Sequence, residues 1–167
     1  LRRATPVVLT IDTEPDDAWV DHRCDSVANV QQLPRLQELL DEFGAFATLL
    51  ITYKVASDPA AANVLCRLRD QHGAEIGAHL HPWETPPFLP SGDDVAHPSF
   101  PHEMPGDYFE EKLMRLTERI AERFGPPRSY RAGRWGIVAP HLPILERHGY
   151  AVDTSVMPLT DWRSTVG

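Results

Sequence analysis

Four side chains able to bind a metal or move a proton stand at two points of the chain, each pair separated by one residue. Asp12-Thr13-Glu14 closes an apolar run, with Asp16 and Asp17 just beyond. In an extended segment residues i and i+2 project to one side, roughly 6.6 Å apart. Two carboxylates held that way can divide labour: one ligates a cation while the other keeps its basicity and takes a proton from water. His79-Leu80-His81, followed by Pro82-Trp83, has the same period, so both imidazoles share a face that a single divalent ion can bridge. A third stretch is Tyr130-Arg131-Ala132-Gly133-Arg134-Trp135-Gly136. Its Arg131 is able to pair with Asp12, keeping that carboxylate ionised and oriented. Its glycines let backbone N–H groups approach a substrate oxyanion.

These residues can act together only if the elements carrying them bring them to one rim. Val7-Val8-Leu9-Thr10-Ile11, opened by Pro6, reads as a buried strand from its β-branched content. Phe46–Thr52, Ala74–Leu80, Ser129–Ala132 and Tyr150–Asp153 read as four more. A polar loop through Asp21-His22-Arg23 follows the first strand. Between the strands the pattern predicts helices. One runs from Leu33 to Phe43, with Pro34 in its first turn and Gly44 as its stop. The next starts at Pro59 after Asp58 and runs toward Gln71, closed by Gly73. Tyr108 to Phe124 is capped by Asp107 and broken by Gly125-Pro126-Pro127, and Pro140 to His148 is the last.

Alternating strands and helices define the α/β class with a largely parallel sheet or barrel. Such folds build their sites at the carboxyl ends of strands. Both constellations occupy strand ends, one strand apart, and can converge on one ion with a mixed nitrogen and oxygen shell. That donor set suits zinc, with cobalt or nickel as neighbouring choices. The long stretch from Pro82 to Gly106, rich in Pro, Gly and Asp, reads as a functional loop, and its first part, Pro82-Trp83-Glu84-Thr85-Pro86-Pro87, is expected to lead toward substrate.

With 167 residues, 42% of them hydrophobic, the chain is sized for a single domain over 1–167 with a sizeable core. A net charge of −8 argues against nucleic acid and anionic membrane surfaces as partners. No run of about 18 apolar residues is present to cross a membrane. Cys24 and Cys66 make neither a disulfide framework nor a thiolate metal site. Cys66, in an apolar helical pattern, reads as a buried free thiol, and the pair suits a reducing compartment such as the cytoplasm. The chain starts at Leu1 and stops at Gly167 after a polar loop, so the domain is expected to be incomplete at both ends, with five β/α units inside it.

In their order the motifs resemble the polysaccharide deacetylase family, the NodB-type or carbohydrate esterase family 4 group. Leu9-Thr10-Ile11-Asp12-Thr13-Glu14 looks like its first motif, Glu75-Ile76-Gly77-Ala78-His79-Leu80-His81-Pro82 like its second and Tyr130-Arg131-Ala132-Gly133-Arg134-Trp135 like its third. Asp153-Thr154-Ser155-Val156 is similar to the Asp-Ser-Ser segment further along. The resemblance implies a distorted (β/α)7-type barrel that removes acetyl groups from N-acetylated sugars with a metal-bound water. Carried over by position, Asp12 is the general base, Glu14, His79 and His81 are the metal ligands, and Arg131 holds Asp12. A backbone N–H near Arg134 or Trp135 joins the metal at the oxyanion. Trp83, Trp135 and Trp162 are candidate sugar platforms, and Arg134 a further substrate contact.

The match departs from the family pattern at three places. The second carboxylate is Glu14 at i+2 instead of an adjacent aspartate, which keeps Asp16 open as the ligand. The histidines stand two apart instead of four, with Trp83 at the i+4 position. The family's late histidine, which protonates the leaving amine, has no counterpart after Val156, and His97, His102, His141 and His148 lack its context. These departures mark a divergent subgroup whose substrate need not be a polysaccharide. Two other readings compete: a different metal-dependent amidohydrolase, where a His-x-His belongs on the first strand, and an inactive barrel of this kind that only binds a glycan.

Overall fold

The computed structural model of the chain describes residues 7–18, 20, 24–88 and 98–160. Pro6, the Asp21-His22-Arg23 loop, His97 and Trp162 lie outside the described residues.

Five strands form one parallel sheet: β1 (Leu9–Thr13), β2 (Ala47–Ile51), β3 (Glu75–Leu80), β4 (Ser129–Ala132) and β5 (Val152–Asp153). They lie in the order β1-β2-β3-β4-β5, each beside its sequence neighbour. Right-handed crossovers always stepping in one direction put the helices on one face, as in the wall of a barrel; here β1 and β5 are the edges of that wall.

Alternation along the strands gives the sheet two chemically distinct faces. Ile11, Leu49, Ile51, Ile76, Ala78, Leu80, Tyr130 and Ala132 join one apolar core with Leu65, Leu68, Phe109, Leu113, Leu116 and Ile120 of the helices. The residues between them, Thr10, Asp12, Thr48, Glu75, His79 and Arg131, form the other face, where Thr48 Oγ1 donates to Glu75 Oε2 at 2.8 Å. Gly77 lies on this second face, and a Cβ there would fall 2.2 Å from Ser129 Oγ and 2.6 Å from Leu50 Cδ2. Only glycine lets β2, β3 and β4 close up at that point.

The helices are α1 (Leu33–Glu42), α2 (Tyr53–Ser57), α3 (Pro59–His72), α4 (Gly106–Phe124) and α5 (Leu142–Arg147). Asp58 caps α3 by accepting from Ala61 N at 2.7 Å, and Gly73 closes it in the left-handed conformation.

Several expected boundaries move. β1 runs two residues further than the Val7–Ile11 run predicted, because Val7 and Val8 stay 88% and 80% exposed ahead of the ladder, and Asp12 therefore sits inside the strand. Helix α2 fills the stretch between the second strand and Asp58, for which the sequence pattern named no element. α4 starts at Gly106 with Pro105 at its cap position, so Asp107 stands in the first turn, where its charge faces the positive helix end without capping it. The helix expected over Pro140–His148 divides into a 3-10 turn, Ala139–His141, and α5. Tyr150 and Ala151 precede β5 instead of belonging to it. Cys66 is half-buried, as is Cys24, and both are free thiols. Among the described residues no helix is long and apolar enough to cross a membrane.

Candidate metal centre

β1 ends by presenting Asp12, with Glu14 one residue past the strand, and β3 presents His79, with His81 one residue past it. Because the strands are parallel, these ends share a rim, and β4 adds Arg131 beside His79 in register. Glu14, His79 and His81 each offer a ligand atom, all within 4.8 Å of one another. His79 Nε2 lies 3.7 Å from Glu14 Oε1, His81 Nε2 lies 3.6 Å from Glu14 Oε2, and the two imidazole Nε2 atoms are 3.0 Å apart. His79 Nδ1 donates to the Arg131 carbonyl oxygen at 3.0 Å, since a carbonyl only accepts, which leaves Nε2 with its lone pair toward the cluster.

This is a place built for positive charge. Two facing ring nitrogens at 3.0 Å need a proton or a cation between them. Glu14 Oε2 is buried with no hydrogen-bond partner, a costly state that a bound cation relieves. Burial works against a charge on His79, yet the Glu14 carboxylate, the Asp12 and Glu14 charges and the Arg131 carbonyl together hold its pKa above the ordinary histidine value. Two imidazoles and one carboxylate at this spacing could hold a metal ion.

Asp12 has a different environment. Arg131 Nη1 donates to its Oδ1 at 2.6 Å, Nη2 to Thr10 Oγ1 at 2.6 Å and Nε to the Thr154 carbonyl at 3.2 Å. The guanidinium is thus fixed at three points, and Asp12 Oδ2 is left toward His79 Nε2, 3.9 Å away. The Asp153–Val156 segment supports the same rim: Ser155 Oγ accepts from Ala132 N at 2.8 Å and donates to Asp153 Oδ1 at 2.5 Å. Asp16, left open by sequence as a ligand, accepts instead from the Ser26 hydroxyl and from the N–H groups of Ala28 and Asn29, at 3.0 and 2.9 Å. These bonds, the Ser26 one foremost, lower its pKa.

Aromatic side chains flank the cluster. Trp83 stacks on the His81 ring with centroids 4.3 Å apart, and the Arg134 guanidinium sits over Trp83 at 5.4 Å and over Phe100 at 5.2 Å. Arg134 and Trp135 both adopt positive φ, 52° and 54°, so the chain turns sharply straight after β4. At Gly133 an added Cβ would lie 2.6 Å from His81 Cδ2 and 2.7 Å from the Leu80 carbonyl. The other described histidines stand elsewhere: His72 pairs with Asp41 at 3.0 Å, His141 stacks on Phe109 at 3.8 Å, His148 pairs with Glu110 at 2.8 Å, and His102 packs near Phe100.

The segment after His81 starts by packing back against it. Glu84 and Thr85 are buried, with their N–H groups donating to the His81 carbonyl at 3.4 and 3.2 Å. The buried Lys112 ammonium of α4 donates to the carbonyls of Pro82 at 2.9 Å, Thr85, and Pro87 at 2.6 Å. Burial pulls Lys112 down to about 8, against the pull of Glu111. Sequence reasoning missed both residues. Lys112 did leave a signal, for it stands among Phe109, Leu113, Leu116 and Ile120 on the apolar stripe of α4. Glu84 left none beyond following a His-x-His by three residues.

No protein-family model and no curated protein matches the chain. A solved structure does resemble it: that of a BA3943 mutant, described as a CE4 family pseudoenzyme with restored enzymatic activity. The likeness has a TM-score of 0.57 at 15% identity and covers 87% of this chain and 43% of that one. The chain therefore has a CE4-like α/β fold, and it spans less than half the length of that neighbour.

Proposed function

We propose that the chain carries the metal site and general base of a metal-dependent deacetylase, hydrolysing the acetamide of an N-acetylated sugar or a related amide. The observation that supports this most is the convergence of Asp12, Glu14, His79, His81 and Arg131 on one rim of a CE4-like sheet. Glu14, His79 and His81 are the metal ligands, and zinc is the ion their donor set favours. A divalent ion held there supplies Lewis acidity to the amide carbonyl and acidifies a water beside Asp12.

Asp12 accepts that water's proton at Oδ2, because Oδ1 is committed to Arg131. Arg131 keeps Asp12 anionic and aimed. Water oxygen joins the carbonyl carbon, the C–N bond breaks as nitrogen takes up the proton that Asp12 removed from water, and acetate and an amine leave. The Arg134–Trp135 turn offers backbone N–H groups to the oxyanion, while Trp83, Arg134 and Trp135 form the ledge on which a sugar face stacks.

Metal content after dialysis tests the reading. About one zinc per chain is expected, with loss of stoichiometric binding in both His79→Ala and His81→Ala; full retention in both variants removes the site. Asp12→Asn is expected to keep the metal and lose roughly 10²–10⁴-fold in turnover, and an active Asp12→Asn protein sinks the assignment of the base. A second reading, a glycan-binding domain without chemistry, is favoured by the description of the structural neighbour as a pseudoenzyme. Absence of bound metal after adding zinc, cobalt or nickel would make that reading the leading one.

A further inference from the structure

Glu84 is a buried carboxylate with no part in the chemistry above. Its side chain is 1% exposed and its Oε1 has no hydrogen-bond partner, a state that costs free energy unless something uses it. Burial, reinforced by the charge of Glu14, pushes its pKa up to about 7, against the Thr52 hydroxyl and the Lys54 and His79 charges nearby. The group it faces is His81: Oε1 stands 3.9 Å from Nδ1, the nitrogen on the opposite side of the ring from the cluster.

The backbone explains how Glu84 comes to be there. Both Glu84 N–H and Thr85 N–H turn back to the His81 carbonyl, which folds the side chain over its own neighbour's ring. Lys112 then fixes that turn from outside through the three carbonyls of Pro82, Thr85 and Pro87. A histidine that ligates metal through one nitrogen commonly gives its other N–H to a carboxylate, which sets the tautomer and raises ligand basicity.

We infer that Glu84 is the positioning residue of His81, accepting from Nδ1–H and holding the Nε2 lone pair toward Glu14 and His79. Closing the remaining gap takes a shift of about 1 Å to reach hydrogen-bond distance. The inference rests on the metal reading proposed above, and a shared failure is separable from its own.

The test is zinc affinity of the full 167-residue chain, measured by competition with a chromophoric chelator, with zinc alone as the probe. Glu84→Ala is expected to weaken binding roughly 10- to 100-fold, the usual effect of losing such a carboxylate. Glu84→Gln, whose amide oxygen still accepts, is expected to recover most of it. A merely structural Glu84 would lower the melting temperature of the metal-free protein without this pattern of loss and rescue. Zinc held by Glu84→Ala as tightly as by the unaltered chain overturns the inference. An unaltered chain that binds no zinc overturns the metal reading and the inference with it. Should Glu84→Ala fail to fold, the His81 Nδ1–H proton of the zinc-loaded unaltered protein decides: a resonance shifted strongly downfield, as for a bond to a carboxylate, supports the role, and an unshifted one overturns it.

Discussion

The His81 ring is held on three sides by side chains of different character. Trp83 covers one face, Glu84 stands behind Nδ1, and Gly133 leaves room along the Cδ2 edge. Gly133 is the simplest of these to probe, since its backbone lies outside the left-handed region and an added methyl changes only space. With 2.6 Å to His81 Cδ2 and 2.7 Å to the Leu80 carbonyl, the methyl cannot be absorbed by a side chain alone. Gly133→Ala is expected to tilt His81 away from Glu14 and weaken zinc binding at least tenfold, the magnitude that follows loss of a ligand's support. Zinc affinity unchanged in this variant would mean that the ring tolerates the displacement. At this scale the spacing of Asp12, Glu14, His79 and His81 was legible, because period-2 projection from a strand end is a property of the backbone alone. The choice of Glu14 over Asp16 in the cluster was not, because it turns on where Ser26, Ala28 and Asn29 bring their donors.

Between elements, the attachment of the loop after β3 to α4 decides how firmly the rim is held. Lys112 supplies three donors to three carbonyls, which satisfies its ammonium completely. Lys112→Met keeps the bulk and the apolar stem but leaves Pro82, Thr85 and Pro87 without that donor. Relief of a buried charge offsets part of the loss, and Pro87 keeps its bond from the Tyr108 hydroxyl at 3.0 Å, yet the stranded Pro82 and Thr85 carbonyls each cost about 1–3 kcal/mol. The loss is the larger side, and a net destabilisation of about 2 kcal/mol is expected by chemical denaturation, together with faster amide exchange at Glu84 and Thr85. Unchanged exchange at those two amides would show that the loop holds itself. Helices α1 and α3 were readable because their signals are local: Pro34 in a first turn, Asp58 as a cap, Gly73 as a stop. Lys112 was legible only as a misfit on an apolar stripe, since the carbonyls that satisfy it belong to a loop distant in sequence. The β1 boundary failed for a related reason, as an apolar run does not record which of its valines finds a partner strand.

For the molecule as a whole, the proposed ligands come from β1 and β3, which never pair with each other. β2 stands between them, so an ion held by Glu14, His79 and His81 ties the edge strand to the middle of the sheet. β1 depends on such a tie more than its neighbours do. Among the described residues its strand partner is β2 alone, and Leu9, its first residue, is exposed. Without the ion, Glu14 Oε2 stays buried with no hydrogen-bond partner beside two facing imidazoles, a costly state that a bound cation relieves. Zinc bound by the folded chain and not by the unfolded one must therefore raise stability, by about 2.7 kcal/mol at a free concentration one hundred times its dissociation constant. Thermal unfolding with and without zinc is expected to show that gain, with His79→Ala losing it and the amides of β1 becoming the most protected by the metal in hydrogen exchange. Equal melting temperatures for the unaltered chain in zinc and in chelator would mean that no ion bridges β1 to β3, and the tie from β1 to the middle of the sheet would then run through β2 and through Arg131 of β4, by way of Asp12 and Thr10.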